Sequence, residues 1–260
     1  MLKDVTATVK QNENIASGIY RMVLRSPEAD LVHFVPGQFA NLAIPGRSDL
    51  LLKRPFSINK VDADAATVTV IYQVVGEGTD ALTALVPGDK IEVIMPVGAG
   101  FQLKKEHKEV FLVGGGVGIA PLLPVIKRWP DRNYHAFLGY RSADFVYCLE
   151  EFQEVCDGAC VASDDGTIGM EGFVTDALKQ KLDEYHPDII LACGPEPMLR
   201  ALKDVLAPLN LPCQVSMEQR MGCGFGACAV CVCGIQHGDE LEYKKVCVEG
   251  PVFDLYEVVL

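Results

Sequence analysis

Short runs in which β-branched and apolar residues alternate with polar ones fill the first part of the chain, at 5–10, 18–25, 38–44, 56–61, 67–75 and 90–95. Turn pairs separate them: Pro36-Gly37, Pro45-Gly46 and Pro87-Gly88. Period-two patterning at this spacing predicts six strands of a small antiparallel barrel. One short helix is predicted over 79–85, with Thr79 as its N-cap. From about residue 108 the pattern changes. Apolar strand segments at 109–113, 134–138, 158–162, 189–192 and 214–217 alternate with helical periodicity at 119–128, 150–155, 171–183 and 196–206. Such alternation predicts a parallel sheet wrapped by helices. A cysteine-rich loop and a hairpin, 229–235 with 241–248, complete the chain. The expected organisation is a β barrel over 1–100, an α/β parallel-sheet nucleotide domain over 101–217 and a metal-binding segment over 218–260.

The 260 residues, 49% hydrophobic, suffice for one large core or two smaller ones. A formal net charge of -12 disfavours nucleic acid and anionic lipid as partners. No apolar run reaches the length of a bilayer span, and residues 1–11 have no leader-like core. These features lead us to expect a cytoplasmic protein.

Ten cysteines in a reducing compartment are not expected to form disulfides. Four fall within 222–234 and Cys247 follows. Cys148, Cys156, Cys160, Cys193 and Cys213 lie in apolar surroundings and read as small buried hydrophobes. Cys223, Cys228, Cys231 and Cys247 have the spacing Cys-x4-Cys-x2-Cys-x15-Cys. The first three match the plant-type spacing for a 2Fe–2S cluster. Gly222, Gly224 and Gly226 allow the backbone to bend tightly around it. Structural zinc is the competing reading, although zinc sites favour two Cys-x2-Cys pairs and only Cys228 and Cys231 form one. Cys233 reads as a packing residue.

Two further turns lie at the ends of strand segments. Gly114-Gly115-Gly116-Val117-Gly118 runs through Ile119 and Ala120 to Pro121, between a strand and a helix, where glycines admit a pyrophosphate and a helix N-terminus supplies N–H donors. Cys193-Gly194-Pro195 sits at the carboxyl end of a later strand, the usual ligand edge of an open sheet. In the barrel, Arg54-Pro55-Phe56-Ser57 offers a guanidinium for a phosphate and a hydroxyl for a flavin or phosphate. Gly78 and Thr79 add N–H groups for the rest of a pyrophosphate.

These motifs, in this order and spacing, resemble the ferredoxin–NADP reductase superfamily over nearly the whole chain. Within it, the cysteine segment, the stretch Ser163-Asp164-Asp165-Gly166-Thr167 and the stretch Cys247-x-Glu249-Gly250-Pro251-Val252-Phe253 are similar to the electron-transfer subunits of NAD-dependent dihydroorotate dehydrogenase. The resemblance implies FAD on Arg54, Pro55, Phe56, Ser57, Ile71, Tyr72, Gln73, Gly78 and Thr79. It implies NAD with its pyrophosphate on Gly114, Gly115, Gly116, Gly118 and Pro121, and its nicotinamide near Cys193, Gly194 and Pro195. Asp164 and Asp165 fall where the family holds the adenosine ribose, and carboxylates there would repel a 2′-phosphate. Arg141 is the residue that argues the other way. Phe56 replaces the tyrosine that many members stack on the flavin, with Phe253 and Tyr256 as other sources of an aromatic ring.

The implied function is electron transfer in pyrimidine biosynthesis. Electrons would run from a separate FMN-containing dihydroorotate dehydrogenase subunit, in a heterotetramer of two of each, through the 2Fe–2S cluster and FAD to NAD. The alternatives are a small subunit of another NAD(P)H complex (a hydrogenase, a sulfide dehydrogenase or an NADH-dependent ferredoxin–NADP reductase) and a non-catalytic module binding zinc and a nucleotide.

Overall fold

A computed structural model describes residues 3–260, with Lys3 described by its backbone only; Met1 and Leu2 of the leader reading lie outside the described residues. Strands β1 (Lys3–Ala16), β2 (Ile19–Arg25), β3 (Phe39–Leu42), β4 (Arg54–Asp62), β5 (Thr67–Gln73) and β6 (Lys90–Val97) close a barrel in the order β1-β2-β5-β4-β3-β6. All pairings are antiparallel. Val9, Leu24, Leu42, Ile58, Val70 and Val93 point inward and are fully buried. Each such side chain stabilises the fold by about 1.5–3 kcal/mol. Strand β3 is buried on both faces. Ala40 and Leu42 face the barrel core, whereas Phe39 packs into the core of the second layer.

Helix α1 (Glu77–Thr83) begins two residues earlier than the sequence pattern suggests, and Gly76, not Thr79, occupies the N-cap. Thr79 acts from inside the first turn. Its Oγ1 accepts the N–H groups of Val75 (2.9 Å) and Gly76 (3.1 Å).

The second layer contains β7 (Glu109–Gly115), α2 (Leu123–Arg128), β8 (Asn133–Tyr140), α3 (Leu149–Val155), β9 (Gly158–Ser163), β10 (Met170–Glu171), α4 (Val174–Leu182), β11 (Ile189–Cys193), α5 (Glu196–Leu206) and β12 (Cys213–Ser216). Next come β13 (Val232–His237), β14 (Glu240–Lys245) and β15 (Val252–Asp254). The sheet order is β10-β9-β8-β7-β11-β12-β15, with β13 and β14 forming a separate hairpin. The chain builds outward from β7 through β8 to β10, then returns to place β11 on the other side of β7. This reversal is a topological switch point, where open α/β sheets bind ligands beyond the carboxyl ends of their strands.

Three elements differ from the pattern read from the sequence. The helix expected over 119–128 is a 3-10 turn at Gly116–Ile119 followed by α2 from Leu123. Pro121 and Pro124 have no N–H to extend an α ladder. The donors at the glycine loop therefore belong to a tight turn, not to an α-helix N-terminus. Helix α4 starts at Val174, because Met170 and Glu171 first pair with β9 as the edge strand β10. Strand β15 has no strong alternation, yet it pairs antiparallel with β12 and carries the C-terminal segment onto the sheet. Met217 N–H donates to Pro251 O (2.8 Å) and Leu255 N–H to Cys213 O (2.9 Å).

Candidate functional site

A cleft of about 470 Å³ runs between the barrel and the carboxyl edge of the sheet. That volume lies in the range of small-molecule and cofactor sites. The barrel wall is Pro55, Phe56 and Ser57 of β4 and Ile71, Tyr72 and Gln73 of β5, with Thr79 of α1. The sheet wall is Gly115, Gly116 and Gly118 from the glycine loop, with Gly194 and Pro195 after β11. The start of β4, the end of β5 and the two turns at the switch point thus meet at one concave surface. Phe56 packs against Tyr72 with ring centroids 5.4 Å apart, and Tyr20 stacks on Tyr72 at 5.5 Å.

Arg54 and Gly78 stand beside the cleft, against each other. A Cβ on Gly78 would lie 2.8 Å from Arg54 Nε. The Arg54 guanidinium also donates to the carbonyl of Leu52, which fixes a cation at the end of the barrel wall near the first turn of α1.

The glycine loop is held from both sides. Asn59 on β4, buried, donates its side-chain N–H to Ala120 O (3.0 Å). From below, Tyr147 donates its hydroxyl to Gly116 O (3.0 Å), and Tyr140 donates to Tyr147 O (2.9 Å). Burial lifts both tyrosine hydroxyls well above their ordinary range, so they remain donors at any physiological pH. Gly114, next to last in β7, is buried, and a Cβ there would meet the Ile119 side chain at 2.7 Å. Pro121 is buried under the turn.

Cys193 is not brought to the cleft wall. It is 2% exposed. Burial and the neighbouring Glu218 charge push its thiol up to about 12, against a Ser216 hydrogen bond that pulls it down. Its neighbours Gly194 and Pro195 are the residues that reach the cleft. Asp164 and Asp165 are also outside the cleft, exposed at the carboxyl end of β9. Asp165 Oδ1 accepts the Thr167 hydroxyl (2.6 Å) and its N–H (3.1 Å), and the Thr167 side chain is the main reason its carboxyl titrates lower than usual.

The cleft also has a third wall that motif reading does not reveal. Phe39 from β3, Ser216, Met217, Glu218 and Met221 after β12, and Val246 and Pro251 near the C-terminus complete it. Only the antiparallel return of β15 onto β12 brings these segments together. Glu218 puts a carboxylate on this wall, and partial desolvation by its neighbours raises its titration point.

Two of the four cysteines expected to hold iron adjoin that wall in the chain. Cys223 follows Met221 by two residues and Cys247 directly follows Val246. Cys223 N–H donates to Cys228 Sγ (3.3 Å), and Cys231 and Cys247 interact through their sulfurs. Among the described residues no three His, Cys, Asp or Glu side chains gather as a site for one metal ion. Four thiolates, two for each iron, are the donor set that a 2Fe–2S cluster takes. Burial raises the Cys223 thiol, but N–H groups of Phe225, Cys228 and Ala227 outweigh it and bring the group down to about 6. Cys247 is pushed up to about 12 by burial and by its contact with Cys231. The loop is tied down by Lys245, whose Nζ donates to Gly226 O (2.8 Å). Cys233 is buried in the same hydrophobic cluster as Cys231 and Cys247. These residues fit a 2Fe–2S cluster, and the cleft in front of them fits a flavin.

Comparison with known proteins agrees with this geometry. Residues 218–259 match the family model for the iron–sulfur cluster binding domain of dihydroorotate dehydrogenase B. Residues 112–204 match that for the oxidoreductase NAD-binding domain. The chain is 42% identical over its whole length to the whole length of a dihydroorotate dehydrogenase B (NAD+) electron transfer subunit from Bacillus velezensis. It is 39% identical, over 97% of each chain, to the corresponding subunit from Caldanaerobacter subterraneus subsp. tengcongensis. Among solved structures, a chain of an NADH-dependent reduced ferredoxin–NADP oxidoreductase superposes with a TM-score of 0.87 at 29% identity, covering 97% of this chain and 89% of that one. No helix among the described residues is long and apolar enough to cross a membrane. This chain belongs to the family of dihydroorotate dehydrogenase B (NAD+) electron transfer subunits.

Proposed function

We propose that the chain carries electrons between a dihydroorotate-oxidising catalytic subunit and NAD, through FAD in the cleft and a 2Fe–2S cluster on Cys223, Cys228, Cys231 and Cys247. The observation that carries the reading is the shared wall. Met221 and Val246 line the cleft, and the cysteines beside them in sequence hold the cluster. Bound flavin supplies the conversion between the two-electron chemistry of a nicotinamide and the one-electron chemistry of an iron–sulfur centre. The chain's own residues position and insulate. Arg54 with Gly78 and Thr79 holds the flavin pyrophosphate, and the 114–118 loop with Gly194 and Pro195 holds the nicotinamide nucleotide. Asp164 and Asp165 take the adenosine ribose. Phe56 and Tyr72 cover the barrel side. No general base is needed.

The partner docks at the outer edge of the cluster loop. Phe225, Val230 and Val248 are exposed at 54%, 52% and 47%, and all three lie within two residues of a cluster cysteine. Large apolar groups grouped on an otherwise acidic surface mark a protein contact. The assembly we propose is cytoplasmic and contains two copies of each subunit. The alternative of an NADH-dependent ferredoxin–NADP reductase subunit rests on the structural likeness at 29% identity, while the curated relatives reach 42%. The test is affinity purification of the tagged chain from its own cells under anaerobic conditions. The reading expects a co-purifying flavoprotein and dihydroorotate-dependent NAD reduction. A ferredoxin- or hydrogen-linked partner with no dihydroorotate activity would overturn the partner assignment.

A further inference from the structure

Asn41 is 0% exposed, and neither Nδ2 nor Oδ1 has a hydrogen-bond partner among the described residues. Two other buried side chains, Ser26 and Arg132, leave one atom each unpartnered; Asn41 alone leaves its whole amide. A buried amide without partners is costly, and a native fold retains one where something outside the protein chain satisfies it. The sequence reading did not single this residue out, because its strand pattern is that of an ordinary barrel position.

The residues around Asn41 belong to the cleft and to the cysteine loop. Alternation along β3 places it on the face shared with Phe39, away from Ala40 and Leu42 in the barrel core. Phe39 lines the cleft. Asn41, two residues further along, lies under the cysteine loop. A Cβ on Gly224 would come within 2.3 Å of Asn41 Nδ2, and Gly224 has φ +76°. Only glycine fits there, so the loop between Cys223 and Cys228 rests directly on the amide. Backbone N–H groups of the same loop already point at sulfur, Phe225 N–H at Cys223 Sγ (3.5 Å) and Cys223 N–H at Cys228 Sγ (3.3 Å).

We propose that Asn41 is a positioning residue for the cluster, its amide N–H donating to a sulfur of the 2Fe–2S centre that the loop around Gly224 would hold. This rests on the cluster reading given above. Hydrogen bonds to sulfur stabilise the more negative, reduced state and raise the reduction potential. A barrel residue thereby sets how readily the centre accepts an electron, while the neighbouring Phe39 touches the flavin cleft on the same strand.

The test uses the full chain, purified anaerobically with its flavin and iron, as wild type and as Asn41→Leu, a change that keeps the branched four-heavy-atom shape and removes the donor without adding charge. In an EPR-monitored redox titration, the reduced-to-oxidised ratio of the cluster at the wild-type midpoint should fall about tenfold in the variant, a downward shift of about 59 mV for a one-electron couple. The flavin midpoint and NADH affinity should not move. Pulsed EPR of reduced wild-type protein carrying asparagine labelled with ¹⁵N in the side chain should show a hyperfine coupling to that nitrogen, and this measurement stands even if the variant does not fold. An unchanged cluster midpoint in a fully loaded variant, or no ¹⁵N coupling in the wild type, would overturn the role of Asn41 while leaving the cluster in place. No iron–sulfur signal in either protein would overturn the cluster reading itself.

Discussion

Gly118 lies so close to Cys193 that a Cβ on the glycine would sit 2.4 Å from the cysteine carbonyl oxygen. Two turns from opposite sides of the sheet's switch point are therefore in backbone contact, with room for hydrogen and nothing larger. Neither backbone can yield as a flexible side chain would. The Gly118→Ala chain should lose about 2 kcal/mol of stability, within the range for overpacked sites. It should also reduce its flavin with NADH at least about tenfold more slowly, because the loop moves by the width of the new contact. Thermal unfolding and stopped-flow flavin reduction measure the two effects. Flavin content should remain that of the wild type, since Arg54 and the barrel wall are untouched.

Arg54 supplies a second prediction. It is the cation beside Gly78 and the first turn of α1, and its removal leaves the proposed pyrophosphate site without charge. Arg54→Ala should bind FAD on the order of 100-fold more weakly, the size expected for a lost charge-assisted contact of about 3 kcal/mol. Lys should rescue it only in part, having no planar fork. Flavin released on gel filtration measures the change. Full FAD retention in Arg54→Ala would remove this residue from the site.

Asp165 is the third. Thr167 holds its carboxylate and lowers its titration point, so the group is ionised throughout the physiological range. If it takes the adenosine ribose, Asp165→Asn should raise the KM for NADH several-fold and narrow the preference for NADH over NADPH, with little effect on the maximal rate. Steady-state kinetics with both nucleotides decide this. Identical constants for wild type and variant would return Asp165 to the status of a solvated turn residue.

The thiol of Cys193 gives a prediction in pH. Its titration point rises from the ordinary 9.0 to about 12 through burial. A folded-state value above the unfolded one means that the folded chain keeps a proton the unfolded chain loses. The contribution to stability is intact below about pH 9 and is lost as pH climbs toward 12. The thiolate is the reactive form, so alkylation of Cys193 in the folded protein should be negligible at pH 8 and should accelerate about tenfold per pH unit above it. Peptide mass spectrometry after timed iodoacetamide treatment follows it residue by residue. Rapid modification at pH 8 would show a thiol that opens to the cleft.

Much of this arrangement was legible in the sequence because local physics wrote it there. Six alternating runs gave six barrel strands, and the glycine and Cys-Gly-Pro turns lie at the carboxyl ends of β7 and β11. The cysteine spacing pointed to the segment that matches the iron–sulfur cluster binding family over 218–259. What the sequence pattern did not disclose depends on distant contacts. Glu218, Met221 and Val246 became cleft residues only because β15, a three-residue strand of weak pattern, pairs with β12. Asn41 looked like any strand residue until Gly224, 183 positions later in the numbering, was seen resting on it. The helix expected directly after the glycine loop was delayed by two prolines, whose missing N–H groups outweighed the apolar periodicity.

The most direct test of the account is elemental and spectroscopic analysis of the chain purified without oxygen. Two irons, two acid-labile sulfides and one FAD per chain are predicted. NADH alone should bleach the flavin absorption and then produce the EPR signal of a reduced 2Fe–2S centre. Zinc in place of iron, with no such signal after complete flavin reduction, would contradict it.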